Sequence, residues 1–356
     1  VIMNDADIAR LFAARVAQPL LMTKEDQTSE NIINSTRLQH YRKAGLFASH
    51  LLDKEIADQI AAYAVPGLSG WLGKLRQMLV DANPTLSNAS RQAPIIIVES
   101  YDRYTSVKKF TTDEAYIFVD NGLILFLWQM NKAYLSIEPS GVHSTHALAT
   151  ATLAHHAVQL KPPAWAEARR NTQRLFPPPP YRPPQNRDSF DLLLGLTIHH
   201  ELFVMAHEIA HIELGHLDPN WKPSAKIELP LTASTFLENG LDLNAIKEFE
   251  ADELALDLVV KFLGQGLDYN IEATIVYLFQ FSRYLLYLEM VLRECNDIGG
   301  SFVWAARHFY LRDRMSKYDK NIGSAIVNHS EFLEEKLEPA MYEATELYCD
   351  ILNKDP

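Results

Sequence analysis

Residues 207–211 read His-Glu-Ile-Ala-His. Four-residue spacing on a helix sets His207 and His211 one turn apart with both imidazoles pointing the same way. That arrangement suits two corners of a zinc tetrahedron. Glu208 points about 100 degrees away around the helix, within reach of a metal-bound water but outside a ligand position, so it is the candidate general base. Such a site needs a third protein ligand and an open position. The segment AIKEFEADELALDLVV (245–260) supplies a candidate. On a helix Glu250, Glu253 and Asp257 share one side, read as a solvated acidic face. Glu248, Ala251, Asp252, Ala255 and Val259 share the other. Ionised Glu248 and Asp252 on that small, apolar face are costly unless paired or metal-bound. Glu248 is therefore assigned as third ligand. Asp252, one turn on, is assigned as the acceptor that orients a ligand histidine through its other ring nitrogen.

The elements that must carry these groups are legible too. Ser189 and Asp191 suit a helix start and Gly215 a helix stop, which predicts one long helix over 189–214, buried nearly all round. His199 and His200 on it read as core histidines rather than ligands. Residues 5–90 read as amphipathic helices closed by the loop-like DANPTLSNASRQAP, giving an N-terminal helical region over 1–90. Two strand-like runs follow at 94–100 and 114–120. A helix from Asn121-Gly122 and another over 141–160 come next. The run FPPPPYRPPQNRD (176–188) cannot be helical, because proline lacks the amide donor and restricts the residue before it. Helices are predicted over 244–264, 270–295, 301–318 and 331–352. The fold class is mainly α with a small β-sheet, α+β, with residues 91–356 as the domain that carries the motif.

A chain of 356 residues with 47% hydrophobic content can bury a substantial core. A formal charge of -12 with no Lys/Arg run excludes the electrostatic footprint of a nucleic-acid binder. Two cysteines, Cys295 and Cys349, argue against a disulfide-stapled scaffold and a thiolate zinc site, and leave one disulfide open. No export signal is recognised near the N-terminus. The apolar windows 116–130 and 271–292 are too short or carry Glu and Arg, so no membrane span is expected. The expectation is a soluble, cytoplasmic protein. Its oligomeric state is not encoded in any feature of the sequence.

HEIAH and EFEAD together resemble the gluzincin metallopeptidases, in which His-Glu-x-x-His is followed on a later helix by Glu-x-x-x-Asp. They resemble in particular the M48-type peptidases, including their small soluble minigluzincin relatives, and YIFVDNGLI (116–124) resembles the strand and helix start that precede the active-site helix in that group. ImmA/IrrE-like peptidases, which act on transcriptional repressors, show a similar motif pair and a histidine placed like His216. A metzincin pattern would need glycine at 214 and histidine at 217, where this chain has Leu214 and Leu217. His216 is accordingly read as a helix-end or surface residue.

The resemblance implies a zincin-like fold, a zinc cofactor, and a protein or peptide substrate. Glu208 would deprotonate a water activated by zinc on His207, His211 and Glu248, and pass the proton to the leaving amine. The oxyanion needs a further donor. WAARHFYLRDR (304–314) offers His308, Tyr310, Arg312 and Arg314, with His308 and Tyr310 the foremost candidates. The substrate would pair along a sheet edge formed by 94–100 or 114–120. A catalytically silent zinc protein, or a regulatory protease acting on one partner, is the alternative.

Overall fold

Residues 115–119 alternate, with Ala115, Ile117 and Val119 buried, and this strand forms the middle of a sheet that packs against the helix carrying His207 and His211. The structure, a computed structural model, describes residues 68–98, 105–109, 115–135, 145–159, 187–223, 229–235, 237, 242–264, 271–294, 303–317 and 322–354. The sheet has three strands, β1 (Ile95–Val98), β2 (Thr105–Lys109) and β3 (Ala115–Asp120), in the order β1-β3-β2. β1 runs parallel to β3 in the register Ile95 to Ile117, and β2 runs antiparallel to it in the register Thr105 to Val119. The expectation that 114–120 might form an edge is thus corrected: a β-branched strand buried on alternate positions takes the centre, leaving β1 and β2 outermost. β2, whose TSVKK sequence carries little hydrophobic signal, was not expected as a strand.

The helices are α1 (Leu68–Ala82), α2 (Asn88–Gln92), α3 (Asn121–Leu135), α4 (Thr145–Gln159), α5 (Arg187–Glu213), α6 (Leu231–Ser234), α7 (Leu243–Leu263), α8 (Ile271–Glu294), α9 (Val303–Met315) and α10 (Ile322–Lys354). The described part is mainly helical with a small sheet, an α+β protein. α2 interrupts the expected loop after α1, started by Ser87, whose side chain accepts from the Ser90 amide. β3 passes straight into α3, where Asp120 Oδ1 accepts from Gly122 N at 2.6 Å. α10 begins nine residues before its expected start at 331, at Ile322. The proposed helices over residues 5–67, residues 176–186 of the proline-rich run and Cys295 lie outside the described residues; the last two residues of that run, Arg187 and Asp188, were expected to be non-helical but open α5, since no proline follows them to break it. Cys349, on α10, is disulfide-bonded.

One hydrophobic core joins these elements. Leu72, Leu75 and Leu79 of α1 share it with the sheet, α5, α7, α8 and α10, so α1 is continuous with the body that holds the motif. α5 is the axis: it packs on α7, α1, α3, α8 and β2, and every residue from 201 to 210 is buried. A helix enclosed on all sides reads as apolar all round, which explains why its hydrophobic residues face in every direction. α8 is long and apolar enough to cross a membrane by length and hydropathy, and 83% of that window is buried among its neighbours. Interior packing accounts for the same composition.

Candidate metal centre

The centre forms where the C-terminal half of α5 lies against α7 and α9. α5 ends in a Schellman turn: the Gly215 amide donates to the Ile212 carbonyl at 3.1 Å and the His216 amide to the His211 carbonyl at 3.0 Å. Gly215 sits at φ 69, a left-handed conformation that costs any residue with a Cβ. The turn folds residue 216 back over residue 211. α7 is capped by Asp242, whose side chain accepts from the Ala245 amide at 2.6 Å and so fixes where the helix begins.

His207, His211 and Glu248 each bring a ligand atom into one group whose members lie within 4.8 Å of one another. His207 Nε2 is 3.0 Å from His211 Nε2 and 3.3 Å from Glu248 Oε2, and His211 Nε2 is 3.5 Å from Glu248 Oε1. Ligand atoms around a tetrahedral zinc with bonds of about 2.0–2.1 Å stand roughly 3.3 Å apart. The spacing and the two-nitrogen, one-oxygen donor set therefore fit a zinc ion.

Glu208 lies beside this group, buried, with Oε2 lacking any hydrogen-bond partner. Burial pushes its carboxyl above the usual range, opposed by the His207 and His211 rings and a hydrogen bond from the Thr105 side chain on β2. An orphaned carboxylate oxygen is costly in an interior unless something polar meets it. It marks the place where a further partner belongs.

Around these three residues lies a second layer, tied together by α7. Asp252, fully buried, accepts from His207 Nδ1 at 2.9 Å, which leaves Nε2 facing His211 and Glu248. Arg307 of α9 spans both α7 acids: its Nε and Nη2 donate to Asp252 at 2.7 and 2.6 Å, and its Nη1 lies 2.8 Å from Glu248 Oε2. Its guanidinium also stacks on Trp304, 3.9 Å from the ring centre. Burial resists charge on all these groups, yet the Arg307 cation and then the His207 hydrogen bond hold Glu248 and Asp252 below their usual range. Burial and Arg307 act to lower the His207 pKa, but the Asp252 and Glu248 carboxylates outweigh them and raise it to about 9. On the other side, His211 Nδ1 is 2.8 Å from His216 Nδ1, and His216 Nε2 is 3.2 Å from Glu250 Oε2.

Comparison of the chain with protein-family models, curated proteins and solved structures finds no match. The geometry therefore stands by itself.

Of the residues singled out from the sequence, His207, Glu208, His211, Glu248 and Asp252 come together. His308 and Tyr310 do not join them. His308 points into the core, its Nδ1 2.8 Å from Ser282 Oγ and its ring against Phe279, and Tyr310 donates to Glu253 at 2.7 Å while packing on Phe249. Arg314 pairs with Glu253 as well, and Arg312 lies over the Phe309 ring. The face of α9 that meets the metal group is the one carrying Arg307, one residue earlier. His216 is at the helix end, as read, but it is buried rather than on the surface, and Glu250 needs correction: it is buried and paired with His216, so of the expected acidic face only Asp257 is fully exposed. His200 is a core residue as read, with Nε2 3.0 Å from the Tyr277 carbonyl and Nδ1 near Asn131. Two signals could have found the missed groups. A Schellman turn brings the residue after its glycine onto the residue five earlier, which here joins His216 to His211. Arg307 is a lone cation in an apolar stripe with Trp304 and Leu311, and a buried cation requires buried acids.

Proposed function

We propose that this chain is a zinc-dependent endopeptidase of gluzincin type, with a zincin-like core built on α5, α7 and the sheet. The observation that carries the reading is the convergence of His207 Nε2, His211 Nε2 and the Glu248 carboxylate beside a buried Glu208 with an unpartnered oxygen. His207, His211 and Glu248 would hold the ion, and bound there zinc supplies Lewis-acid polarisation of a carbonyl and brings the acidity of water near neutrality.

The remaining work falls to the chain's own groups. Glu208 Oε2 takes the proton of the attacking water and passes it to the leaving amide nitrogen; its buried oxygen without a partner is free for that transfer. Asp252 keeps the His207 proton on Nδ1, so that Nε2 retains its lone pair. Arg307 holds the Glu248 and Asp252 carboxylates in fixed orientation and offsets their mutual repulsion. Strand β2, an outer strand of the sheet against α5, touches Glu208 through Thr105. An extended peptide adding to that strand would be carried past the base, with backbone pairing supplying affinity that is largely independent of sequence.

Glu208→Gln tests the reading. The variant is expected to retain one zinc per chain, measured by elemental analysis, while cleavage of an unfolded protein substrate falls by at least about 100-fold. Undiminished cleavage removes Glu208 from its role. Zinc binding without cleavage in the parent, over a wide substrate panel, favours a metal-holding regulatory protein instead.

A further inference from the structure

The stretch Glu248-Phe249-Glu250-Ala251-Asp252 places three carboxylates on α7 within one turn, and the centre as described uses two of them. Glu248 and Asp252 are four residues apart and share a face. Glu250 is two residues from each, about 200 degrees around the helix, so it cannot reach an imidazole of α5 directly. His216 fills the gap. Its ring is buried between Glu250 and His211, with the edge of Trp221 against it at 4.9 Å and its own carbonyl held by Lys247 Nζ at 2.6 Å.

We infer that His216 and Glu250 form a hydrogen-bonded relay that orients His211 for metal binding, the counterpart for the second imidazole of what Asp252 does for the first. The inference rests on the reading of His211 as a ligand. An imidazole that ligates through Nε2 keeps its proton on Nδ1. At 2.8 Å from His211 Nδ1, the acceptor for that proton is the lone pair of His216 Nδ1. His216 must then carry its own proton on Nε2, and Glu250 Oε2 is the acceptor there at 3.2 Å. The tautomers of both rings follow in sequence from one buried carboxylate. Each imidazole of the centre is thereby held from behind by an acid of α7: His207 directly, His211 through one intervening ring. His216 and Glu250 are positioning residues in this scheme, since neither offers an atom to the position the ion would take: His216 acts through His211, and Glu250 through His216.

Two measurements test this. Zinc affinity is measured by competition with a chromophoric chelator, for the full chain and for His216→Ala, His216→Asn and Asp257→Ala. His216→Ala is expected to bind zinc about 10- to 100-fold more weakly, the usual effect of removing a partner behind a ligand. His216→Asn keeps a side-chain acceptor near the Nδ1 position and is expected to recover most of the loss. Asp257→Ala, which removes an exposed acid of the same helix, is expected to bind as the parent does. If His216→Ala folds and binds zinc as tightly as the parent, the relay is overturned while the metal reading stands. A parent that binds no zinc overturns both. Because the Ala variant leaves a buried gap that can impair folding, the second measurement uses the parent alone: histidine ring ¹⁵N shifts of the zinc-loaded chain. His211 protonated on Nδ1 and His216 protonated only on Nε2 is the expected pattern. A proton on His216 Nδ1 overturns the proposal.

Discussion

Replacing Arg307 by methionine asks how much the centre depends on its single cation. Methionine keeps an unbranched side chain of comparable reach and removes the charge. In the parent, two of the guanidinium's bonds go to Asp252, whose side chain is 0% exposed, and one to Glu248, whose side chain is 32% exposed. The Glu248 contact is partly screened by solvent and is worth at most about 1 kcal/mol. The Asp252 contact is different: stripping one partner from a buried pair costs about 3–5 kcal/mol when no other partner remains, and because Asp252 keeps His207 at 2.9 Å the cost here falls at the lower end, about 3 kcal/mol. At roughly 2 °C per kcal/mol for a chain of this size, the Tm should fall by about 6 °C. Calorimetry in EDTA gives the full effect. With saturating zinc the difference should narrow, since a dication restores positive charge next to Glu248. Arg307→Lys should lie between parent and Met variant, because a point charge cannot span two carboxylates as a planar fork does. A Tm for Arg307→Met within about 2 °C of the parent in EDTA would falsify the account of Arg307 as the counter-charge of the site.

Acid should weaken the fold through histidines remote from the centre. Burial, and then His155, hold His156 down to about 3, while burial, then Arg283 and Arg312, depress His308. Between their ordinary value near 6.5 and these lowered values the folded chain binds fewer protons than the unfolded one, so their contribution is complete above about pH 6.5 and is lost as the pH falls. Unfolding free energies from urea titrations at pH 7.5, 6 and 5 should drop in that order, by on the order of a few kcal/mol in total, and less in His156→Gln; a flat profile contradicts the assignment of His156 as a buried neutral ring. Gly215→Ala should cost about 1–2 kcal/mol from backbone conformation alone, as nothing lies within 4 Å of the added Cβ. Gly215→Asn should cost less, since asparagine tolerates the left-handed turn; equal thermal unfolding of the Ala variant and the parent would show that the turn is not held at positive φ.

Local order was written plainly in the chain. The i,i+4 placement of His207 and His211, and of Glu248 and Asp252, is a property of helix pitch and holds wherever those helices sit. Asp242 before α7 and Gly215 after α5 are boundary signals whose chemistry acts over three or four residues. The zinc-fitting group needed only one assumption beyond these, that the small face of α7 meets α5. What failed was reasoning about exposure. Glu250 shares its helical side with exposed Asp257 and reads as solvated until His216 is known to fold over it. β2 failed for a related reason, because a strand with polar composition is recognised only by the partner it pairs with.

By itself, then, the sequence determined which residues could ligate a metal, their spacing, and the helices that carry them, because these depend on covalent order and a fixed helical repeat. Only the tertiary structure decided which face of α9 meets the centre, that Arg307 rather than His308 or Tyr310 stands there, and that His216 and Glu250 back His211. Those outcomes depend on the rotation and approach of helices distant in the chain. Such quantities are set by packing of the whole core, and no short window of residues records them.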